Sequence, residues 1–249
     1  MNKNTDTVIF LTACVNPKGM SFTKLTNPKE RAKQYVDAIK YYIINTNYNI
    51  LLVENTGYSF EKDFKHEVMQ GRIELLTFHG NEYDRLFGKG YGEGLIVTYA
   101  IQHSTLLVNA NKIIKITGRH IITNFKIIDK VIKITSRKPF IHFNLAYTGD
   151  RQTACSDMFI GTTNFFKKYL FNYLPKINDS RNYYFEDALY DAAKLAIKEK
   201  NYHFSLLPFN LQQQGLSGTT GEKLLTFSLY SQFKHFVKFI LSLIIGYKL

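Results

Sequence analysis

The chain has 249 residues, 45% of them hydrophobic and 21% charged, which suffices for a sizeable core and excludes a disordered chain. Its 32 Lys and Arg against 20 Asp and Glu leave a net charge of +12, a balance that favours anionic partners. The basic residues are spread along the chain without a long like-charge block. No zinc-finger, RNP or basic-zipper pattern occurs, which argues against a dedicated nucleic-acid binder.

The start, MNKNTDTVIFLTACV, has too short an apolar run for a signal peptide. Cys14 and Cys155 are far apart and form no CxxC, so a reducing, cytoplasmic setting is expected. Residues 8–15 (VIFLTACV) are continuously apolar, which predicts a strand buried on both faces. Asn27 offers a cap and Pro28 a first-turn residue for the helix that follows. Over 31–44, Ala32, Tyr35, Val36, Ile39, Tyr42 and Ile43 recur at helical spacing. A second buried strand is predicted over 49–53, ended by Glu54-Asn55-Thr56-Gly57, then a short helix over 60–69 and a strand over 73–78. This alternation predicts βαβ units and an α/β fold with a mainly parallel sheet flanked by helices.

Further along, a helix is predicted over 92–103 and strands over 112–117 and 140–145. A strand end at 157–160 passes into a helix over 164–174. Residues 184–200 form a helix with acids early and lysines late, as the helix dipole favours. The stretch 212–221 (QQQGLSGTTG) reads as a flexible loop. The expected organisation is a single body over 1–210, a flexible segment over 211–226 and a terminal helix over 227–249. In that helix Ser231, Lys234, His235, Lys238 and Ser242 share one stripe, and nearly everything else is apolar. Its continuous apolar run, 239–245, is far below the ~20 residues a membrane span needs. Two readings stand: a last helix packed on the core, or an interfacial helix at a membrane surface, which Tyr247 and Lys248 suit.

Four segments carry chemistry. KGYGEG (89–94) is neither a GxGxxG fingerprint nor a P-loop. It is a glycine-rich entry into a helix whose first amides suit an anion, with Lys89 beside it and Glu93 as a first-turn structural residue or a ligand to a sugar hydroxyl. KITGR (115–119) ends a strand and delivers Arg119, a surface ion-pair partner or a fork for diphosphate. CSDMFIGTT (155–163) places Asp157 where strands rarely hold a carboxylate unless it is paired or catalytic. In FEDALYDA (185–192), Glu186 and Asp187 are helix N-terminal charges or supply a general base. Glu54 and Asn55 stand where an open α/β sheet binds ligands. The histidines lack HExxH spacing and an i, i+4 pair, which argues against zinc. Ser156 and Ser217 lack the GxSxG elbow of that hydrolase type.

Taken in order, FLTACVNP, RAKQYVDAIKYY, LLVENTGYS, KGYGEG, KITGR and SDMFIGTTNFF resemble a little-characterised group of bacterial glycosyltransferases that accompany capsule or lipopolysaccharide O-antigen synthesis. The resemblance covers about residues 8–195. It implies a GT-A-like fold with a Rossmann-type nucleotide-binding half, making 1–210 a catalytic domain. It also implies a nucleotide-sugar donor and a lipid-linked glycan acceptor at the inner face of the membrane. By that resemblance Thr12, Ala13, Glu54 and Asn55 line the nucleotide. Lys89, Gly90, Gly92, Glu93, Lys115, Thr117, Gly118 and Arg119 contact diphosphate and sugar. Asp157 and Glu186 are the carboxylates near the acceptor. The chain departs from the usual GT-A pattern in lacking DxD, the paired carboxylates that hold Mg²⁺ or Mn²⁺. Either Asp157 alone completes a metal site, or Lys89, Lys115 and Arg119 neutralise the leaving diphosphate. Two other readings are a sugar nucleotidyltransferase, for which NPKGMSFTK after the first strand is a faint echo, and a non-catalytic RNA- or membrane-binding protein.

Overall fold

Four successive side chains, Val8, Ile9, Phe10 and Leu11, are fully buried along β1 (Asn4–Ala13), as their unbroken apolar run requires of a strand covered on both faces. A computed structural model describes residues 4–20, 23–136, 139–199, 202–215, 221–224, 227–245 and 249. After β1 come α1 (Pro28–Asn45), β2 (Tyr48–Glu54), α2 (Glu61–Met69), β3 (Ile73–Thr77), α3 (Gly88–His103), α4 (Thr105–Asn109) and β4 (Lys112–Thr117). Then follow β5 (Ile121–Ile122), α5 (Phe125–Thr135), β6 (Phe140–Thr148), β7 (Arg151–Thr162), α6 (Phe185–Lys198), β8 (His203–Ser205), β9 (Gln213–Gln214) and α7 (Leu229–Ile245). The Asn27 side chain caps α1 by accepting from the Lys29 and Glu30 amides, with Pro28 in the first turn.

The main sheet has seven strands in the order β3-β2-β1-β4-β7-β6-β8. Only β7 runs against the rest: it pairs antiparallel with β4 and β6, while the other neighbours are parallel. The fold is thus α/β with a mostly parallel sheet flanked by helices. The chain winds outward from β1 in both directions, so a crevice opens beside its carboxyl end. Between Phe143 and Leu145 of β6 the pairing with β7 shifts, leaving Asn144 alone opposite residues 155–158. This bulge bends β7 where Ser156 and Asp157 reach the same sheet edge.

Three elements differ from the sequence expectation. The strand expected at 157–160 begins at Arg151, because a hairpin from β6 pairs its polar half. The helix expected over 164–174 is a wide turn over Phe165–Tyr169 followed by tight turns at Leu170–Asn172 and Leu174–Lys176. Phe165, Phe166, Tyr169 and Leu170 are all buried there, and packing on every side overrides regular helix geometry. Within the stretch expected to be a flexible loop, Gln213 and Gln214 form β9 and pair with β5. Residues 216–220 and 225–226 of that segment lie outside the described residues, as do Tyr247 and Lys248.

The polar stripe expected along the terminal helix is divided in space. Ser231, His235 and Ser242 turn toward the body, whereas Lys234 and Lys238 are exposed. His235 Nε2 lies 3.0 Å from both Asn144 Oδ1 and Leu207 O, and Ser242 Oγ accepts from the Leu206 amide at 3.3 Å. Among the described residues no helix is long and apolar enough to cross a membrane.

Candidate functional site

The carboxyl ends of β1, β2 and β4 surround a cleft of about 160 Å³. Thr12, Ala13, Asn55, Lys89, Gly92, Glu93, Thr117 and Arg119 all line it. Asn55 is buried and its Oδ1 has no hydrogen-bond partner, an acceptor held ready on the cleft wall. Burial pulls both the Lys89 ammonium and the Arg119 guanidinium below their usual pKa; Arg119 adds to the effect on Lys89, and Arg31 to that on Arg119. Asp179 acts in the opposite sense on Lys89, and Tyr35 and Asp157 do so on Arg119. Arg119 is half-buried and Lys89 reaches solvent, so two cations stand on one wall of the cleft.

Arg31, which carries no sequence motif, also lines the cleft and braces it. Its Nε donates to Cys14 O at 2.8 Å, one terminal nitrogen to Leu25 O at 3.1 Å, and the other to Tyr35 Oη at 3.4 Å. The guanidinium therefore ties the loop after β1 to α1. Asn81 and Tyr83 complete the lining. Tyr83 donates to Gly88 O at 3.1 Å, and burial pushes its hydroxyl up to about 12. No local signal singles these residues out: Arg31 comes from the first turns of α1, and Asn81 and Tyr83 from the loop after β3.

Several expected ligands prove to hold the scaffold. Lys115 is fully buried: its Nζ is in close ion pairing with Glu93 Oε1 and donates to Ser156 O at 2.9 Å. The rings of Phe159 and Phe185 lie 5.7 and 5.4 Å from that ammonium. Lys115 points from the middle of β4 into the sheet's side layer, so it reaches no ligand in the cleft. Glu54 is likewise buried. It accepts from the Val15, Thr56 and Tyr58 amides at 2.8–2.9 Å and from the Thr56 and Thr77 hydroxyls, joining the loops after β1 and β2. A side chain at Gly118 would meet Thr12 O at 2.5 Å, so this glycine permits strand approach. Gly90 packs on Phe185 and Ile177 in the same manner.

The helix N-terminus expected to receive an anion already holds one. Gly88 has φ +80°, and the carboxylate of Asp179 sits against it and accepts from the Lys89 amide. This turn of chain, far away in sequence, supplies the cap. The Lys89 amide at the start of α3 is thus already engaged by Asp179.

The remaining carboxylates form two groups. Ser156 Oγ donates to Glu186 Oε1 at 2.5 Å, and Thr12 Oγ1 donates to Glu93 Oε1 at 3.1 Å. A polar chain thus runs from the cleft through Glu93, Lys115 and Ser156 to Glu186. Burial raises the Glu186 pKa above the ordinary carboxylate range, outweighing the Ser156 hydrogen bond. Asp157 stands at the opposite side of Arg119, outside the cleft lining. Gln213 donates to its Oδ2 at 3.0 Å, and His120 Nδ1 lies 3.6 Å from its Oδ1. His120 is buried with neither ring nitrogen hydrogen-bonded, and burial lowers its pKa to about 4, so it is neutral at pH 7. Its neighbour Arg119 ends the KITGR segment, but no motif marks this imidazole in the sequence.

Mg²⁺ or Mn²⁺ calls for several hard oxygen donors in near-octahedral array. Asp157 offers one carboxylate, already bound by an amide and flanked by an imidazole. Among the described residues no three His, Cys, Asp or Glu side chains gather in a set that holds a metal. The donor set does not fit such an ion.

No family model and no curated relative matches the chain. Solved structures with a similar trace include a WbbM bifunctional glycosyltransferase, at 12% identity and a TM-score of 0.48, covering 96% of this chain and 44% of that one. The inositol-1-phosphate CTP transferase of T. maritima shares 11% identity over 93% of this chain and 96% of its own, with a TM-score of 0.44. Core-mannan synthase A of Aspergillus fumigatus shares 10% identity over 80% and 72%, with a TM-score of 0.43. At such identities and scores these likenesses carry no argument about reaction, and the fold assignment rests on the chain's own strand order.

Proposed function

We propose that the protein is a glycosyltransferase that moves a sugar from a nucleotide-sugar donor to a lipid-linked glycan in cell-surface polysaccharide synthesis. The observation that carries this reading is the pair of cations, Lys89 and Arg119, lining a cleft at the carboxyl ends of β1, β2 and β4. In this reading the nucleoside lies against Thr12, Ala13 and Asn55, with the diphosphate toward Lys89 and Arg119. The acceptor hydroxyl attacks the anomeric carbon, its proton passes to a carboxylate, and the bond from that carbon to the phosphate oxygen breaks. The electron pair leaves on the nucleoside diphosphate, where the two cations stabilise the developing charge. Glu186, held by Ser156 and raised in pKa by burial, suits the proton-accepting role; Asp157 is the second candidate. The enzyme works on the inner face of the cytoplasmic membrane, and the segment 227–249 meets that surface.

Arg119→Ala tests the assignment. It is expected to lower turnover on the order of 100-fold or more while leaving the melting temperature nearly unchanged. The supporting measurement is thermal stabilisation of the wild-type protein by a nucleoside diphosphate or nucleotide sugar, lost in Arg119→Ala. Stabilisation by RNA alone, with strong salt dependence, would replace the enzyme reading with a binding one.

A further inference from the structure

Helix α7 is apolar on its outer side as well as on the side packed against the body. Its outer side presents Leu229, 90% exposed, with Tyr230, Phe233, Val237, Leu241 and Ile244, the last 74% exposed. These recur at helical spacing and make one continuous apolar stripe along the 17-residue helix. The side facing the body packs Phe236, Phe239 and Leu243 on the core and adds a set of polar bonds. Asn210 exchanges hydrogen bonds of 2.9 and 3.0 Å with the Gln232 side chain, and His235 and Ser242 bond to the chain between β8 and β9 and to Asn144. Phe239 is fully buried among them. Turning the helix to hide the outer stripe would break every one of those bonds. The apolar face is therefore fixed outward by the fold.

Charge selects the occupant. Lys234 and Lys238 are exposed on the same side, the Lys234 ammonium lying 4.3 Å from the Tyr230 ring, and the helix contains no Asp or Glu. Two copies pairing through this face would bring their lysines together without a countercharge from either helix. An anionic bilayer supplies that countercharge while accepting the apolar stripe below its headgroups. We propose that α7 is a docking helix that lies in the plane of an anionic lipid surface, with Phe233, Val237 and Leu241 in the acyl boundary and Lys234 and Lys238 at the phosphates. This deepens the membrane-surface reading above by naming the face and the lipid class. Its test needs no turnover, so it stands or falls separately from the glycosyltransferase reading.

The full chain is mixed with phosphatidylcholine vesicles, with and without phosphatidylglycerol, and the vesicles are sedimented. Expected is pelleting with phosphatidylglycerol vesicles that weakens as salt rises. The double variant Phe233→Glu with Leu241→Glu should abolish it, and Lys234→Gln with Lys238→Gln should lower the affinity on the order of 10-fold. All four side chains face solvent, so each variant should melt with the wild type, which separates lost docking from lost folding. A full chain that stays in the supernatant with phosphatidylglycerol vesicles overturns the proposal, as does the glutamate variant pelleting like the wild type. Self-association in analytical ultracentrifugation that the glutamate variant removes, without vesicle binding by either form, would assign the face to a second copy.

Discussion

Lys115 and Lys89 show how two lysines near one sheet edge take opposite roles. Lys115 is enclosed between two aromatic rings, with Glu93 and the Ser156 carbonyl using its donors. Lys89 stands on the cleft wall beside Arg119. Removing a buried partner leaves an uncompensated charge, and that penalty exceeds the net worth of the pair. Lys115→Met is therefore expected to destabilise the fold by about 3 kcal/mol, read from urea unfolding, while the folded protein binds nucleoside diphosphate with little change. Adding Glu93→Gln should restore part of the loss, because the orphaned carboxylate is then gone. Loss of nucleotide affinity without loss of stability would return Lys115 to the ligand site.

At the scale of elements, α3 owes its position to glycine. A Cβ on Gly90 would stand 3.0 Å from the backbone nitrogen of Phe185, at the first turn of α6. Backbone cannot swing aside as a side chain does, so the helices must separate. Gly90→Ala is expected to cost about 1–3 kcal/mol through overpacking, although alanine gains up to about 1 kcal/mol in helix propensity. A melting temperature at or above wild type would show that the α3–α6 contact gives way freely. The sequence pattern spoke clearly for β1, β2 and β3, whose apolar runs have one physical explanation. It was silent on α5, where Phe125, Ile128 and Ile132 are buried at helical spacing but β-branched residues mask the period. It named Asn55, Lys89 and Arg119, to which the resemblance added Thr12, and the fold brings all four together. It had no means of separating them from Lys115 and Glu54, which differ only in being enclosed, or of finding Asp179, whose contact with α3 exists only once the chain is folded.

For the whole molecule, the buried imidazoles tie stability to pH. His120 at the exit of β4 is lowered to about 4, chiefly by burial, with Arg119 and Lys115 adding to the effect and Asp157 opposing it. His142 on β6 is lowered to about 3, again by burial, while it lies 2.8 Å from Ser136 Oγ and 2.7 Å from Ser205 Oγ. His235 on α7 moves in the same direction. An unfolded histidine takes up its proton near pH 6.5, so below that value the unfolded chain binds more protons than the folded one. Stability from these groups is complete above pH 6.5 and is lost as pH falls toward 4. His120 alone contributes on the order of 3 kcal/mol at the limit. Because β4, β6 and α7 belong to one packed body, the loss should appear as a single cooperative transition. Urea unfolding at pH 7, 6, 5 and 4.5 is expected to show falling midpoints, and His120→Asn should flatten the slope. A profile level across that range would mean that these imidazoles take up protons in the native state as readily as in the unfolded chain.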